Sequence, residues 1–289
     1  MSSLQNIKGR IGAVNSIKKI THAMELVATS KLKRAKEEYQ NVFSYEEKVK
    51  TTISKIFKYI DKEELDSIYQ EKIDNPKVLN IIITADLGLA GSYNSNVIKL
   101  AKISIKPSDK LILLGVKGIN TFENHNKDQI ISQYKISENQ NADLLVENIV
   151  KQCYELYENK EIDIFNVIYT KYINNLIQEE CKEQLFPIDY AEIKKIAEND
   201  NSQKIKVLEF EPSAHVVFNE SIPFYLNAKL SLMLASSRLS ELASRRNAME
   251  TATDNANDLI NDLQLDYNRK RQSNITQELN EIVSGAESV

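Results

Sequence analysis

Between about Leu4 and about Ile60 the apolar residues Leu4, Ile7, Ile11, Val14, Ile17, Ile20, Met24 and Val27 recur three or four positions apart. That period places them on one stripe of a helix, where a strand would alternate between two faces. The same period returns near the other end, through Met249, Ala252, Ala256, Leu259, Leu263 and Tyr267 and on to Ile275, Leu279, Ile282 and Ala286. All five prolines fall between Pro76 and Pro223, so both ends read as long unbroken helices, the second starting after Pro223. A single amphipathic helix of this length would leave its stripe in water; two of equal period cover each other. The pattern predicts a long antiparallel coiled coil of the N- and C-terminal helices. Gly9 and Gly12 weaken the first turns and offer a place for another backbone to come close.

The middle has a different grain. Lys77–Asp86, Lys110–Val116, Ile164–Tyr172 and Ile205–Glu211 are short, β-branched runs bounded by turn residues, the signature of strands. "YNSNVIKLAKI" and "NADLLVENIVKQCYELYEN" lie between them with Asn and Asp near their starts, as helices do. Apolar runs such as Leu79–Ile83 fit strands buried on both faces, hence a largely parallel sheet. The fold class expected is α/β: a central Rossmann-like domain over residues 76–212, between coiled-coil helices over 1–75 and 213–289.

Composition adds a core but little chemistry. With 42% hydrophobic and 27% charged residues the chain has ample material to fold without relying on disulfides, and its two cysteines, Cys153 and Cys181, form no CxxC pair. They read as buried thiols in a reduced compartment. No apolar run reaches the ~20 residues that span a bilayer, and the first residues lack a signal-peptide core. His22, His125 and His215 show no repeated ligand spacing, and "DKEELD" (Asp61–Asp66) reads as a solvated face. "TADLGLAGSYNSN" (Thr84–Asn96) follows a strand and opens a helix, the setting of a phosphate cradle. It carries neither GxGxxG nor GxxxxGK[ST], which favours a tight structural turn. No catalytic residue, cofactor or metal is expected.

Charge is uneven. Residues 1–40 hold eight Lys or Arg and three Asp or Glu, a local net of +5 in a chain whose formal net is −4. The basic runs "KLKRAK" (Lys31–Lys36) and "RKR" (Arg269–Arg271) flank the expected seam, as solvation or as docking sites for acidic protein loops. The overall acidity opposes nucleic acid as the partner.

Beyond its period, "SLQNIKGRIGAVNSIKKITHAMELVATSKLKRAK" closely resembles the N-terminal helix of the gamma subunit of F-type ATP synthases, and "AMETATDNANDLINDLQLDYNRKRQSNITQELNEIVSGAE" resembles its C-terminal helix. "ITADLGLAGSYNSNV" is similar to that family's strand, turn and helix, so the resemblance spans the chain. It implies a non-catalytic central rotor shaft inside a ring of alpha and beta subunits, which hold the catalysis. It implies further partners in an epsilon subunit and a membrane c-ring, and coupling of rotation to proton transport. The chain would sit peripherally at the cytoplasmic face of a bacterial membrane. By resemblance, Arg271 and Gln272, with Thr276, Gln277 and Glu278 one turn on, face the catch loop of a catalytic subunit. Lys18, Lys19, Lys31, Lys33 and Arg34 lie nearer those subunits' acidic levers. Leu87, Ala90 and Ser92 stand where the family usually has arginine, cysteine and glycine, and Glu25 where lysine is common. Those departures keep open a gamma-like shaft of a paralogous motor tied to motility or transport. The reading from another class is a nucleotide-binding α/β enzyme with a helical dimerisation arm.

Overall fold

The computed structural model describes residues 4–57, 75–136, 141–188, 193 and 210–287. Asp61–Asp66 and most of the strand expected over Ile205–Glu211 lie outside them. Two helices, α1 (Leu4–Phe57) and α5 (Ala214–Glu287), take up the ends of the chain. α5 begins before Pro223 rather than after it. An internal proline costs a helix about 3 kcal/mol; here Phe218, Ile222, Tyr225 and Leu226 around it are all buried, and that packing holds the turns together. The chain divides into two compact units, Met1–Ser30 with Arg245–Val289, and Lys31–Ser244.

The first unit is a pair of antiparallel helices. On α5 the buried positions are Met249, Thr253, Ala256, Ile260 and Leu263, stepping by four and three in turn. That is the seam of a coiled coil. On α1 the buried and half-buried positions that keep the same alternation are Leu4, Ile7, Ile11, Val14, Lys18, Thr21, Glu25 and Ala28. The Thr21 and Thr253 hydroxyls meet across the seam at 2.8 Å. The apolar stripe read from the sequence follows this seam only as far as Val14. From there the seam steps by four to Lys18, whereas the apolar residues step by three to Ile17, and Ile17, Ile20 and Val27 are left 53%, 60% and 54% exposed. Ile275, Leu279 and Ile282, read as seam positions, are exposed too. Counting back from Thr21 to Leu4 on α1 carries the partner on α5 from Thr253 to Lys270, so the helix beyond that residue has no α1 against it.

Among the described residues no other backbone lies against either early glycine. A Cβ added to Gly9 or Gly12 would meet nothing within 4 Å. Gly9→Ala and Gly12→Ala are therefore expected to strengthen α1 by about 1 kcal/mol each. Far-ultraviolet circular dichroism on heating should show more helix surviving at a given temperature; a loss would reveal a contact at these positions.

The second unit contains a five-stranded sheet in the order β3-β2-β1-β4-β5, built from β1 (Val78–Ile83), β2 (Lys110–Leu114), β3 (Ile130–Tyr134), β4 (Ile164–Tyr172) and β5 (Gln178–Phe186). β3, β2, β1 and β4 run parallel, with Ile81 opposite Ile112 on one side and Val167 on the other; β5 returns antiparallel along β4. Helices α2 (Tyr93–Ser104) and α3 (Val116–Phe122) cover one face, where Val97, Ala101, Ile119 and Phe122 pack on Ile82, Leu111, Leu113 and Ile168. The other face packs on α4 (Ala142–Glu158) together with Ile53 of α1 and the Phe218–Leu234 stretch of α5. Asn141 caps α4, its side chain accepting from the Asp143 amide at 3.0 Å. Within this unit α1 and α5 also run antiparallel: Glu38 pairs with Arg238 at 3.6 Å, and farther along Phe57 lies 6.0 Å from Phe218.

The helices over Tyr93–Ile103 and Asn141–Asn159 and the strands around Leu79, Leu111 and Ile168 stand where the sequence places them. β3 and β5 are additions. Both are edge strands, and β5 carries Glu179, Glu180, Lys182 and Glu183, charges that blunt an edge and hide the strand from a hydropathy reading.

Candidate functional site

The turn after β1 is built around its own side chains. The Ala85 amide donates to Asn94 Oδ1 at 2.9 Å, the Val116 amide to Asp86 Oδ1 at 2.9 Å, and the Gly118 amide to Thr84 Oγ1 at 2.9 Å. The Lys117 amide donates to the Ala85 carbonyl at 3.1 Å. These bonds spend the Ala85 amide and the first amides of α3 on protein acceptors, which ties the segment together as a structural turn. Its tip is apolar, with Leu87 and Leu89 exposed. Ala90 is buried with Ala85 and Tyr93 in a small cluster.

This turn and the end of β4 are held to α5 by four serines. Tyr93 Oη lies 2.7 Å from Ser237 Oγ, and Ser244 Oγ donates to the Ala90 carbonyl at 2.8 Å. The Tyr172 amide donates to Ser236 Oγ at 2.9 Å, and Ser240 Oγ to the Thr170 carbonyl at 3.3 Å. None of the four serines stands out in the sequence as a site residue. The available signal was four serines within nine helical positions, an unusual density for a residue that disfavours helix interiors.

The residues named from the sequence fall in different settings. Lys18 and Lys31 are half-buried, while Lys19, Lys33 and Arg34 are exposed. Lys31, Lys33 and Arg34 belong to the α/β unit, and Lys18 and Lys19 to the helix pair. Arg271, Gln272, Thr276, Gln277 and Glu278 are all exposed on the stretch of α5 beyond the reach of α1. At about 100° per residue they do not share a face. Arg271 and Glu278 flank one side of the exposed Ile275, Leu279 and Ile282 stripe, Gln272 and Thr276 flank the other, and Gln277 lies opposite, its amide donating to Glu281 Oε1 at 2.9 Å. Glu25, the reversed charge, sits at a seam position with its carboxylate 3.3 Å from His22 Nδ1.

Burial pushes the Cys153 thiol up to about 12, and burial followed by the Glu183 carboxylate pushes Cys181 up to about 11. Both stay protonated and unreactive at neutral pH. Among the described residues no helix is long and apolar enough to cross a membrane, and no three His, Cys, Asp or Glu side chains gather to hold a metal.

Residues 3–289 match the protein family described as ATP synthase. The ATP synthase gamma chain of Mycoplasmopsis synoviae is 46% identical over 291 residues, covering all of this chain and 99% of that one, and the gamma chain of Mycoplasmopsis agalactiae is 43% identical over 289 residues, covering the whole of both. The chain belongs to the ATP synthase gamma family. The gamma chain of Pelagibacter ubique retains 33% identity over 297 residues. Among solved structures, a chain of the Euglena gracilis mitochondrial ATP synthase gives a TM-score of 0.68 at 16% identity, covering 99% of this chain and 94% of that one. A chain of the Tetrahymena thermophila mitochondrial ATP synthase central stalk and c-ring gives 0.58 at 24% identity, covering 81% and 99%. These two share the fold: long terminal helices with a mostly parallel sheet between them. As a gamma chain, the protein is a subunit of a rotary ATP synthase, and neither the motility-linked shaft nor the nucleotide-binding enzyme is favoured.

Proposed function

We propose that this gamma chain is the non-catalytic central shaft of its complex, turning inside a ring of alpha and beta subunits. Below, it joins an epsilon subunit and a membrane c-ring and couples proton transport to ATP synthesis or hydrolysis. It is held as a peripheral subunit at the cytoplasmic face of the membrane. The observation that carries this reading is the apolar outer surface of the two terminal helices, beside polar residues in their seam. Lys18, Thr21 and Glu25 occupy the seam, while Ile17, Ile20, Leu26 and Val27 on α1 and Leu265, Leu279 and Ile282 on α5 each expose more than half their surface. A two-helix unit left in water would place these residues the other way round. Rows of exposed aliphatic residues on both helices suit a rod whose outer surface is enclosed by other protein.

Within that reading, Arg271 and Gln272 meet a catch loop at the tip, and Thr276, Gln277 and Glu278 touch more than one subunit, since they point in different directions. Lys18, Lys19, Lys31, Lys33 and Arg34 serve the acidic levers. Asymmetry of the shaft gives each catalytic site a different face and so a different affinity at any instant. The double variant Arg271→Ala, Gln272→Ala in a reconstituted complex is expected to lower rotation-coupled ATP hydrolysis by about tenfold, the scale of a lost charged contact at an interface. Turnover at the wild-type rate would remove these two residues from the contact.

A further inference from the structure

Four serines of α5 behave unlike several other hydroxyls of the same helix. Ser221, Thr251 and Thr276 turn back on their own helix, donating to the carbonyls of Phe218, Asn247 and Gln272. That is the usual fate of a hydroxyl in a helix interior. Ser236, Ser237, Ser240 and Ser244 instead all bond outward to the α/β layer. They span an arc of about 100° on the helix. Ser236 and Ser240 grip the end of β4 through the Tyr172 amide and the Thr170 carbonyl. Ser237 and Ser244 grip the turn after β1 through the Tyr93 hydroxyl and the Ala90 carbonyl. Ser236, Ser237 and Ser240 are at most 3% exposed, so water does not compete for these bonds.

Earlier on α5 the contact is of another kind. Phe218, Ile222, Tyr225, Leu226, Leu230 and Met233 pack into the main core. Apolar contact resists separation but has no preferred direction, whereas a hydrogen bond weakens steeply as its angle departs from linear. A helix seated only on apolar residues is held about its own axis by the interlocking of side chains alone. Four hydroxyl bonds fanned over one face, two to each of two neighbouring parts of the layer, oppose its rotation in both senses.

We infer that Ser236, Ser237, Ser240 and Ser244 are positioning residues that lock the rotational setting of α5 in the α/β unit, so that torque on the helix passes into the sheet through directional bonds. The clasp rests on the rotor reading above. It predicts that loosening it lets the helix slip without dismantling the protein, and so uncouples hydrolysis from transport.

The test is a chain carrying Ser236→Ala, Ser240→Ala and Ser244→Ala with the pair Tyr93→Phe, Ser237→Ala, assembled in the complete complex in liposomes. ATP hydrolysis should stay within about twofold of wild type while protons taken up per ATP fall by about threefold or more, the loss expected when several buried hydrogen bonds go at once. Hydrogen exchange at the Tyr172 amide should quicken by about tenfold, reporting the opened bond directly. An unchanged proton-to-ATP ratio overturns the clasp, whether or not the amide exchanges faster. Should the fivefold variant fail to assemble, the Tyr93→Phe, Ser237→Ala pair alone removes both hydroxyls of one buried bond and strands neither partner. Its ratio should then fall by about a quarter to a half, in keeping with one bond of four, and a normal ratio overturns the proposal. A wild-type complex that hydrolyses ATP and moves no protons overturns the rotor reading, and the clasp with it. Wild-type coupling together with an unchanged ratio in both variants overturns the clasp alone.

Discussion

Gly115→Ala is expected to take away a large part of the stability of the α/β unit. Gly115 has φ +94, a conformation side chains rarely adopt, and an added Cβ would stand 2.1 Å from the Thr84 carbonyl oxygen and 2.6 Å from its carbon. Those are backbone atoms, so the collision cannot be relieved by a rotamer. Nor can either strand end move freely. The Gly115 amide donates to the Tyr134 carbonyl at 2.9 Å, and the Thr84 amide to the Leu114 carbonyl at 2.8 Å. Thr84 Oγ1 contacts the Leu114 carbonyl at 2.9 Å and accepts from the Gly118 amide at 2.9 Å. Strain at such a backbone position costs about 1–3 kcal/mol, and each buried bond broken to relieve it about 1–3 more. The sum is a large part of the roughly 5–15 kcal/mol that holds a domain folded. Thermal unfolding should show a midpoint lower by about 10 °C or more, at roughly 2–4 °C per kcal/mol for a unit of this size. Gly88→Ala in the same turn is the control. Its Cβ would meet only the flexible end of Lys117, at 3.6 and 3.7 Å, and should leave the midpoint in place. A Gly115→Ala chain melting with wild type would mean that β1 and β2 part at their ends without loss.

The same close packing explains what could be read from the sequence. β1, β2 and β4 are buried on both faces, so their apolar runs announce them; β3 is an edge strand without a fully buried residue, carries Ser132 and Gln133, and leaves little trace. On α1 the period was legible and the seam was not. A step of three from Val14 reaches Ile17 and a step of four reaches Lys18, both land within a helical stripe, and hydropathy chooses the isoleucine. The choice fails because the outer face of this helix is itself apolar, a condition that one chain read alone does not reveal. The serine bonds were hidden for another reason. Their partners lie between 64 and 154 residues away along the chain. Nothing in local composition connects Ser244 to Ala90 or Ser236 to Tyr172. The family resemblance supplied Arg271, Gln272, Thr276, Gln277 and Glu278 as one group, and helical geometry divides them among three directions.

That division bears on the last expected result. A chain ending at Arg269 should fold its α/β unit as the full chain does and assemble poorly. From Lys270 to Ser284 only Lys270 and Asn274 are half-buried and every other residue is exposed, so among the described side chains the truncation removes none that is buried. The unfolding midpoint of the isolated chain should shift by no more than about 2 °C, the scale of surface changes. Assembly is a different matter. Ile275, Leu279, Ile282 and Val283 form an apolar stripe with exposures of 47%, 57%, 68% and 56%. Covering what each still shows is worth about 1 kcal/mol, given roughly 1.5–3 kcal/mol for burying such a side chain completely. Losing four such contacts weakens association by about a thousandfold, at 1.4 kcal/mol per factor of ten. Titrating the truncated chain against the other subunits, followed by ATP-driven proton uptake in liposomes, reads both consequences. Wild-type assembly and coupling would show that this stripe meets nothing in the working complex. A partial result is informative as well. Replacing Ile275, Leu279 and Ile282 by serine in the full-length chain keeps Arg271, Gln272 and Glu278 in place, and so separates the apolar stripe from the charged flanks that border it. If the serine variant fails as the truncation does, the stripe seats the tip. If it assembles and turns normally, the flanks do.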